Sequence, residues 1–191
     1  DRKGFSLIEL IAIIVIIAIV AIPLMSNYNK FIDLEQQVNK ASSDIDTQLQ
    51  RRSDLIPNLV NTVKGYSTQE KDIFTNIADA RSKLAGATNI TDQANADSEL
   101  SSALSRLLVV VEQYPDLKSN QNFKDLSIQL EGTENRIAVA RQDYNTAVTN
   151  YNTKLRRFPS NIVASIFGFE QKPLYKASDN ASEVPSVDFS S

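Results

Sequence analysis

Residues 123–158 have the sequence FKDLSIQLEGTENRIAVARQDYNTAVTNYNTKLRRF. Spacings of three, four or seven separate their main apolar residues, which are Phe123, Leu126, Leu130, Ile137, Tyr144, Val148, Tyr151, Leu155 and Phe158. Such a stripe is typical of a long helix that buries one face in a bundle or a coiled coil. It ends before Pro159, which cannot continue a helix. We therefore expect one helix from about Asn120 to Phe158.

A second long stripe lies nearer the amino terminus. Its members are Leu34, Val38, Ala41, Ile45 and Leu49, followed by Ile56, Val60 and Val63. The spacing predicts a helix from about Ser26 to Lys64. Pro57 interrupts it, so either the helix kinks there or a new helix begins with Ser53 or Asp54 as its cap.

Two shorter helices are expected between the long ones. Ser67 and Glu70 have the spacing of a capping box, and the helix after them should end near Gly86. Its inward residues would be Ile73, Ile77, Ala80 and Leu84. Residues 86–97 resemble a connecting loop or a frayed helix start. A third helix presents Leu100, Leu104, Leu107 and Val111 and ends at Tyr114 and Pro115. The sequence thus predicts an all-α fold, an elongated antiparallel bundle of about four helices.

The chain also carries a membrane-type segment. From Leu7 to Met25 every residue is apolar except Glu9 and Pro23. Nineteen residues in a helix span about 28 Å, close to the thickness of a bilayer's hydrocarbon core. A cleaved secretory signal is the alternative, but its apolar core is usually about 7–15 residues. We interpret the segment as a single transmembrane helix in the cell membrane. Arg2 and Lys3 before it favour a cytoplasmic amino terminus and an extracytoplasmic main domain.

Residues 3–10, at the start of the chain, overlap the beginning of this segment. They resemble the processing site of type IV pilins, where a peptidase cuts after the glycine. The resemblance implies that Gly4 is the last leader residue and Phe5 the first mature one. Glu9 would then be the fifth mature residue, which in such assemblies pairs with the new amino terminus of a neighbour. The alternative is that Glu9, being near the membrane edge, reaches the headgroups and does nothing further.

The rest of the chain, from about residue 27 to its end, resembles the LemA family. The segments that carry the resemblance are 39–41, 45–60, 62–66, 112–118, 130–141, 144–145, 151–152, 158–159, 167–169 and 184–189. The last of these resembles the family's usual ending, so we expect the carboxyl end to be complete. The family implies a small membrane protein with a helical bundle outside the bilayer and no settled activity. Its members usually have an ordinary span, so the pilin-like anchor is a departure. We expect domain limits at 1–25 for the anchor, 26–169 for the bundle and 170–191 for an extended tail.

Several charged residues could form a polar cluster between the two long helices. They are Asp46, Arg51, Arg52, Asp54, Glu134, Arg136 and Arg141. The cluster could be a ligand or metal pocket, or a set of interhelical ion pairs that fixes the register of the helices; we favour the second. Tyr114, Tyr144 and Tyr151 are expected in the core.

Composition argues against several kinds of chemistry. The chain has no Cys and no His, which removes thiol nucleophiles, imidazole catalysis and the Glu-x-x-His metal motif of helical bundles. The net charge is −3 and the arginine doublets are isolated, so no basic face for nucleic acid is visible. No glycine-rich phosphate loop or serine elbow is present. We expect no enzyme activity, no catalytic residue, no metal, no cofactor and no small-molecule substrate.

Two functions then remain open ahead of an enzyme. The first is a membrane-anchored scaffold that self-assembles or holds other membrane or envelope proteins. The second is a pilin-like subunit of an extracellular filament. An apolar cluster at Ile162, Val163, Ile166, Phe167 and Phe169 needs cover from lipid headgroups, the base of the bundle or a neighbouring subunit. We expect residues 171–191 to pack against an adjacent copy and make a homo-oligomer; the alternative is that they fold back on their own bundle.

Overall fold

The computed structural model describes residues 4–177 of the chain. Within that range it contains six helices and no strand: α1 (Leu7–Lys64), α2 (Lys71–Gly86), α3 (Ile90–Val111), α4 (Pro115–Ser119), α5 (Gln121–Arg156) and α6 (Ser160–Phe167). The all-α prediction is confirmed. Arg2, Lys3 and the apolar tail residues Val184, Val187 and Phe189 lie outside the described residues.

The described residues form two compact units. Of the described residues, the span unit comprises those up to Lys40 together with Ala147–Lys172, and the bundle unit comprises Ala41–Thr146 together with residues 173–177. Helices α1 and α5 each contribute to both units. The domain limits at residues 25 and 169 suggested by the sequence stay a prediction.

Helix α1 continues through Pro57, so the prediction of a possible new helix there is wrong. A proline has no amide hydrogen, so the carbonyl of Ser53, four residues earlier, loses its usual donor. Arg81 of α2 replaces that donor: its Nη2 lies 3.2 Å from the Ser53 carbonyl oxygen. A side chain from a neighbouring helix thus compensates for the proline.

In the bundle unit the four longer helices alternate in direction. Between α1 and α5, Arg52 contacts Glu134 and Thr62 contacts Asn122, which requires antiparallel chains. Contacts of Asp46 with Gln93 and of Arg52 with Ser101 show that α3 runs parallel to α1. The core that they enclose contains Ile56, Leu59, Val63, Phe74, Ile77, Leu100, Leu104, Leu107, Val111, Leu117, Phe123, Leu126 and Leu130. Both apolar stripes are therefore buried as expected in this unit.

Two local expectations concern helix starts. Ser67 and Glu70 do not form a capping box, because the buried Ser67 hydroxyl donates to the hydroxyl of Tyr114 at 3.0 Å and α2 begins at Lys71. Of the two alternatives for residues 86–97, the connecting loop is wrong and the helix start is right, because α3 begins at Ile90, where the Asn89 side chain accepts from the amide of Asp92 and caps it.

In the span unit, the end of α5 packs antiparallel on α1. The rings of Phe31 and Tyr151 meet edge to face, and Lys154 donates to Asn27 at 2.7 Å. Helix α5 ends at Arg156, so Phe158, expected as the last buried member of its stripe, is exposed. The chain then forms α6 and reverses at Gly168, whose φ of 73° favours glycine.

The reversal at Gly168 returns two aromatic rings to α1. Phe169 stacks on Phe31 with ring centroids 4.8 Å apart, and Phe167 lies at the same distance from Tyr28. Toward its amino terminus, α1 carries a window long and apolar enough to cross a membrane, none of which is buried within the protein.

Candidate functional site

A buried arginine network is the most distinctive polar feature of the bundle unit. Arg52 lies on the buried face of α1, at a position where the stripe would otherwise place an apolar residue, and its side chain is fully buried. Its Nη2 is 2.7 Å from Oδ1 of Asp97, and its Nη1 is 3.1 Å from Oε1 of Glu134 and 3.0 Å from the Ser101 hydroxyl. A buried guanidinium is tolerated when carboxylates pair with it in this way. Helices α1, α3 and α5 are thereby joined at one level.

Asp97 of α3 is the second fully buried member. Besides Arg52, it accepts a hydrogen bond at Oδ2 from the hydroxyl of Tyr175 at 2.9 Å, and Nη1 of Arg141 lies 3.6 Å from the same oxygen. Burial, followed by the negative charge of Asp97, raises the pKa of Tyr175 far above its usual value. The phenol therefore remains a donor to Asp97 at any physiological pH.

The structure brings together three of the seven charged residues named from the sequence: Arg52, Glu134 and Arg141. The other four are exposed. Asp46 accepts from Gln93, Asp54 accepts from Gln50, and Arg51 and Arg136 lie on the surface.

Sequence reasoning missed Asp97 and Tyr175. For Asp97 a signal was available, because it lies three residues after the buried Ala94 and three before Leu100, on the apolar stripe of α3. A charged residue at a stripe position predicts a buried partner of opposite charge. Tyr175 lies beyond the last helix, where no periodic pattern indicates burial.

Two asparagines of α5, seven residues apart, bind the backbone of the carboxyl-terminal segment. Asn152 accepts from the amide of Lys172 and donates to its carbonyl, at 2.9 and 2.8 Å. Asn145 makes the same pair of bonds with Tyr175, at 2.7 and 3.3 Å. Up to Ala177, therefore, the segment folds back on its own chain. Packing of residues 171–191 against an adjacent copy stays a prediction.

The amino-terminal site is a helix cap. The amide of Ser6 donates to Glu9 at 2.9 Å, and the amide of Glu9 donates to the Ser6 hydroxyl at 3.2 Å. This reciprocal pair is a capping box at the start of α1, which the Ser-x-x-Glu spacing would have predicted. Gly4 and Phe5 precede the helix and are exposed. Glu9 thus has a local partner in its own chain.

Within the described residues, these polar groups contact one another. The described part of the chain, residues 4–177, contains no group of three acidic residues that could hold a metal ion. What the arginine network does is join three helices and the returning segment.

The model of the LemA family matches residues 41–189, more than half of the chain. The chain belongs to the LemA family. The match begins at Ala41, where the bundle unit also begins, rather than at about residue 27. Residues 1–25 match the prokaryotic N-terminal methylation motif, so the LemA bundle follows a type IV pilin-like segment.

Curated relatives of this LemA-family protein include magnetosome proteins. It is 28% identical over 179 residues to magnetosome protein MamQ 2 of Paramagnetospirillum magneticum, covering 80% of this chain and 66% of that one. It is 26% identical over 152 residues to Protein LemA of Metamycoplasma hominis, covering 79% and 69%. The chain thus spans about two thirds of the length of these relatives. Family and structure together show a membrane-associated helical protein.

Proposed function

We propose that this LemA-family protein is a membrane-anchored scaffold without catalytic activity, which self-assembles and holds other membrane or envelope proteins through its helical surfaces. One observation carries the proposal. The same unbroken helix, α1, supplies both the membrane-type segment and the first helix of the bundle. Partners bound to the bundle would therefore be attached directly to the membrane.

The arrangement of charge supports a structural role. Arg52 and Arg141 together offset the charges of Asp97 and Glu134 in the bundle unit, and Tyr175 donates a hydrogen bond to Asp97. Ionisable groups that act on a substrate need an open side from which to reach it. Here Arg52 and Asp97 are fully buried and contact groups on neighbouring helices, which supports a structural role.

Self-assembly is proposed to use the apolar segment of α1, whose side chains are unburied within one chain. Since the chain has no cysteine, single cysteines can be placed at each position from 10 to 20 and oxidised in native membranes. We expect disulfide-linked dimers with a period of three to four residues, because one face of each helix would meet its neighbour. A cysteine at Ile128, exposed on α5, is the control. Uniformly absent cross-links would contradict assembly through this segment.

Glu9 is proposed to contribute its charge to that assembly. Glu9→Gln keeps the capping box, because glutamine serves at this position as well, but removes the charge. Ser6→Ala removes the box and keeps the charge. We expect Glu9→Gln to weaken the cross-links while Ser6→Ala leaves them unchanged. The reverse result would assign Glu9 to helix capping alone.

The pilin-like subunit remains the second candidate, favoured by the methylation motif and by the exposed Gly4 and Phe5 ahead of α1. Mass spectrometry of the protein from native membranes tests it. A mature chain that begins with a methylated Phe5 would support processing, whereas a chain that retains Gly4 would contradict it.

The orientation is proposed from the charges before α1: amino terminus in the cytoplasm, bundle outside. Protease added to intact spheroplasts should digest the bundle. Protection until the cells are lysed would reverse the orientation.

A further inference from the structure

The corner between α5 and α6, residues 156–167, exposes an apolar surface. Phe158 is 80% exposed, Ile166 62% and Ile162 49%, whereas Val163 and Ala164 on the other side of α6 are buried. A short helix with apolar residues on both sides has one face covered by its own chain and one that still needs a partner. We call residues 156–167 the corner segment.

Contacts within the span unit give the level of the corner segment along α1. Phe31 faces Tyr151 and Asn27 faces Lys154, so each step forward along α5 is a step back along α1. Continued to the end of α5, this antiparallel pairing brings residues 157–158 to the level of residues 23–25. Those residues are the last turn of the apolar, membrane-type segment.

The returning chain gives the same level independently. Phe167, at the end of α6, contacts Tyr28, which lies only three residues beyond Met25. Three residues of helix rise about 4.5 Å. The whole corner segment therefore lies at the depth where α1 would leave the bilayer, and not farther out along the protein.

Charge at the corner is of one sign. Between residues 144 and 169 the sequence contains no acidic residue, but it contains Lys154, Arg156 and Arg157. Both arginines are exposed and precede Phe158 directly. Apolar side chains next to long basic ones are the composition of segments that bind the surface of an anionic membrane.

We propose that the corner segment is a second membrane contact, which binds the surface of the bilayer that holds α1. Phe158, Ile162 and Ile166 insert at the boundary between headgroups and acyl chains, and Arg156 and Arg157 bind lipid phosphates. A second copy of the chain fits this surface less well. A symmetric contact through this segment would bring the basic residues of both copies into one interface, and no acidic residue between 144 and 169 could offset them.

The chain has no tryptophan, so a single introduced one reports on its own position. Phe158→Trp and Ile162→Trp are made separately in the full chain and reconstituted in bilayers that contain brominated lipid. Ile128→Trp, exposed on α5 in the bundle unit, is the matched control. We expect brominated lipid to quench the fluorescence of the first two variants and not that of the control. All three positions are exposed, and unchanged circular dichroism spectra would verify that each variant folds.

Two outcomes overturn the proposal. If the Phe158→Trp and Ile162→Trp variants emit like tryptophan in water and are not quenched, the corner lies in solvent. If their emission is shifted to the blue without quenching by brominated lipid, protein covers both positions, and a second copy is the occupant. Failure of the cross-links proposed for α1 would not affect either measurement.

The charge is tested with phosphatidylcholine bilayers, with and without phosphatidylglycerol. We expect phosphatidylglycerol to increase the quenching of the Phe158→Trp variant, and the added substitutions Arg156→Gln and Arg157→Gln to abolish the increase. Neutralising the exposed Arg51 and Arg136 of the bundle unit instead should leave the increase intact. An increase that survives the loss of Arg156 and Arg157 would overturn their assignment to lipid phosphate.

Discussion

Phe31 and Arg52 occupy equivalent positions of α1 but in different chemical surroundings. They are three heptads apart, in a series of buried residues that runs through Phe31, Val38, Ile45, Arg52 and Leu59. In the span unit, Phe31 packs against the rings of Tyr151 and Phe169. In the bundle unit, Arg52 binds Asp97 and Glu134.

The difference shows what each kind of contact can specify. An apolar seam that repeats every seven residues tolerates a shift by one heptad, because one apolar residue then replaces another. A buried arginine does not tolerate it, because its charge would face apolar side chains. Aromatic packing therefore stabilises the span unit, and we expect the arginine network to fix which residues of α1, α3 and α5 meet.

The largest effect on stability is expected from removing the charge of Arg52. Arg52→Ala leaves Asp97 buried without its closest cation and should lower the free energy of unfolding by about 3–5 kcal/mol. Chemical denaturation in detergent measures it. Arg51→Ala, next to it but exposed, should change the stability by less than about 0.5 kcal/mol. Equal effects of the two variants would refute the importance of the network.

A double variant separates the cost of an unpaired buried charge from the contribution of the ion pair itself. Arg52→Met with Asp97→Leu replaces the closest ion pair by apolar residues, so we expect it to recover most of the loss of Arg52→Ala. If the double variant is as unstable as the single one, the ion pair itself, rather than the unpaired charge, accounts for the effect.

Tyr175→Phe should have the next largest effect. It removes a hydrogen bond to the buried Asp97 carboxylate and should lower the free energy of unfolding by about 1.5–3 kcal/mol. The control is Tyr66→Phe, whose exposed hydroxyl accepts from Asn120 and should matter little. No difference between the two would mean that the returning segment is not held through Asp97.

The Tyr175 hydroxyl also predicts that the stability of the fold depends on pH in the alkaline range. Burial and Asp97 raise the pKa of Tyr175 in the folded protein, so the folded state holds this proton more tightly than the unfolded chain does. The stabilisation is fully present below the unfolded pKa of about 10 and is lost as the pH rises toward the folded pKa. Tyr175→Phe should make the decline above that pH shallower. Some decline should remain, because burial also raises the pKa of Tyr144 and Tyr151.

The smallest effect is expected at the aromatic position. Phe31→Leu keeps an apolar side chain but loses two ring contacts, which should cost about 1–3 kcal/mol. Phe158→Leu, at an exposed ring, should cost less than about 0.5 kcal/mol in detergent. A loss at Phe31 as large as that of Arg52→Ala would remove the contrast between the two units.

Periodicity predicted the parts of this fold that depend on local sequence. The stripe of α5 follows from apolar spacing, because burial of one face dominates the stability of such helices. Periodicity could not predict whether the helix continues through Pro57, because that depends on Arg81 of another helix. Arg81 donates to the Ser53 carbonyl that the proline leaves without a donor. Ser67 failed as a cap for the same reason, because Tyr114 binds its hydroxyl from a distant part of the chain.

The candidate site was predictable only in part. Arg52 and Glu134 stand out because charged residues at or beside an apolar stripe need partners. The sequence could not show that Arg51 and Asp54 are exposed while Arg52 is buried, because it does not tell which face of α1 is covered. Tyr175 has no periodic context at all, and only the three-dimensional return of the chain places it beside Asp97.

The asparagines at 145 and 152 have a consequence for how this segment can change during evolution. Each asparagine uses its side-chain nitrogen and oxygen to bind the main chain, Asn152 at Lys172 and Asn145 at Tyr175. These hydrogen bonds therefore do not involve the side chains of residues 172 and 175. The two backbone bonds at position 172 can therefore form with any residue except proline, which would lack the amide hydrogen that Asn152 accepts. A proline is already present at 173, where only the carbonyl is used, as acceptor for the Tyr144 hydroxyl. Homologous chains should thus retain hydrogen-bearing amides at positions 172 and 175.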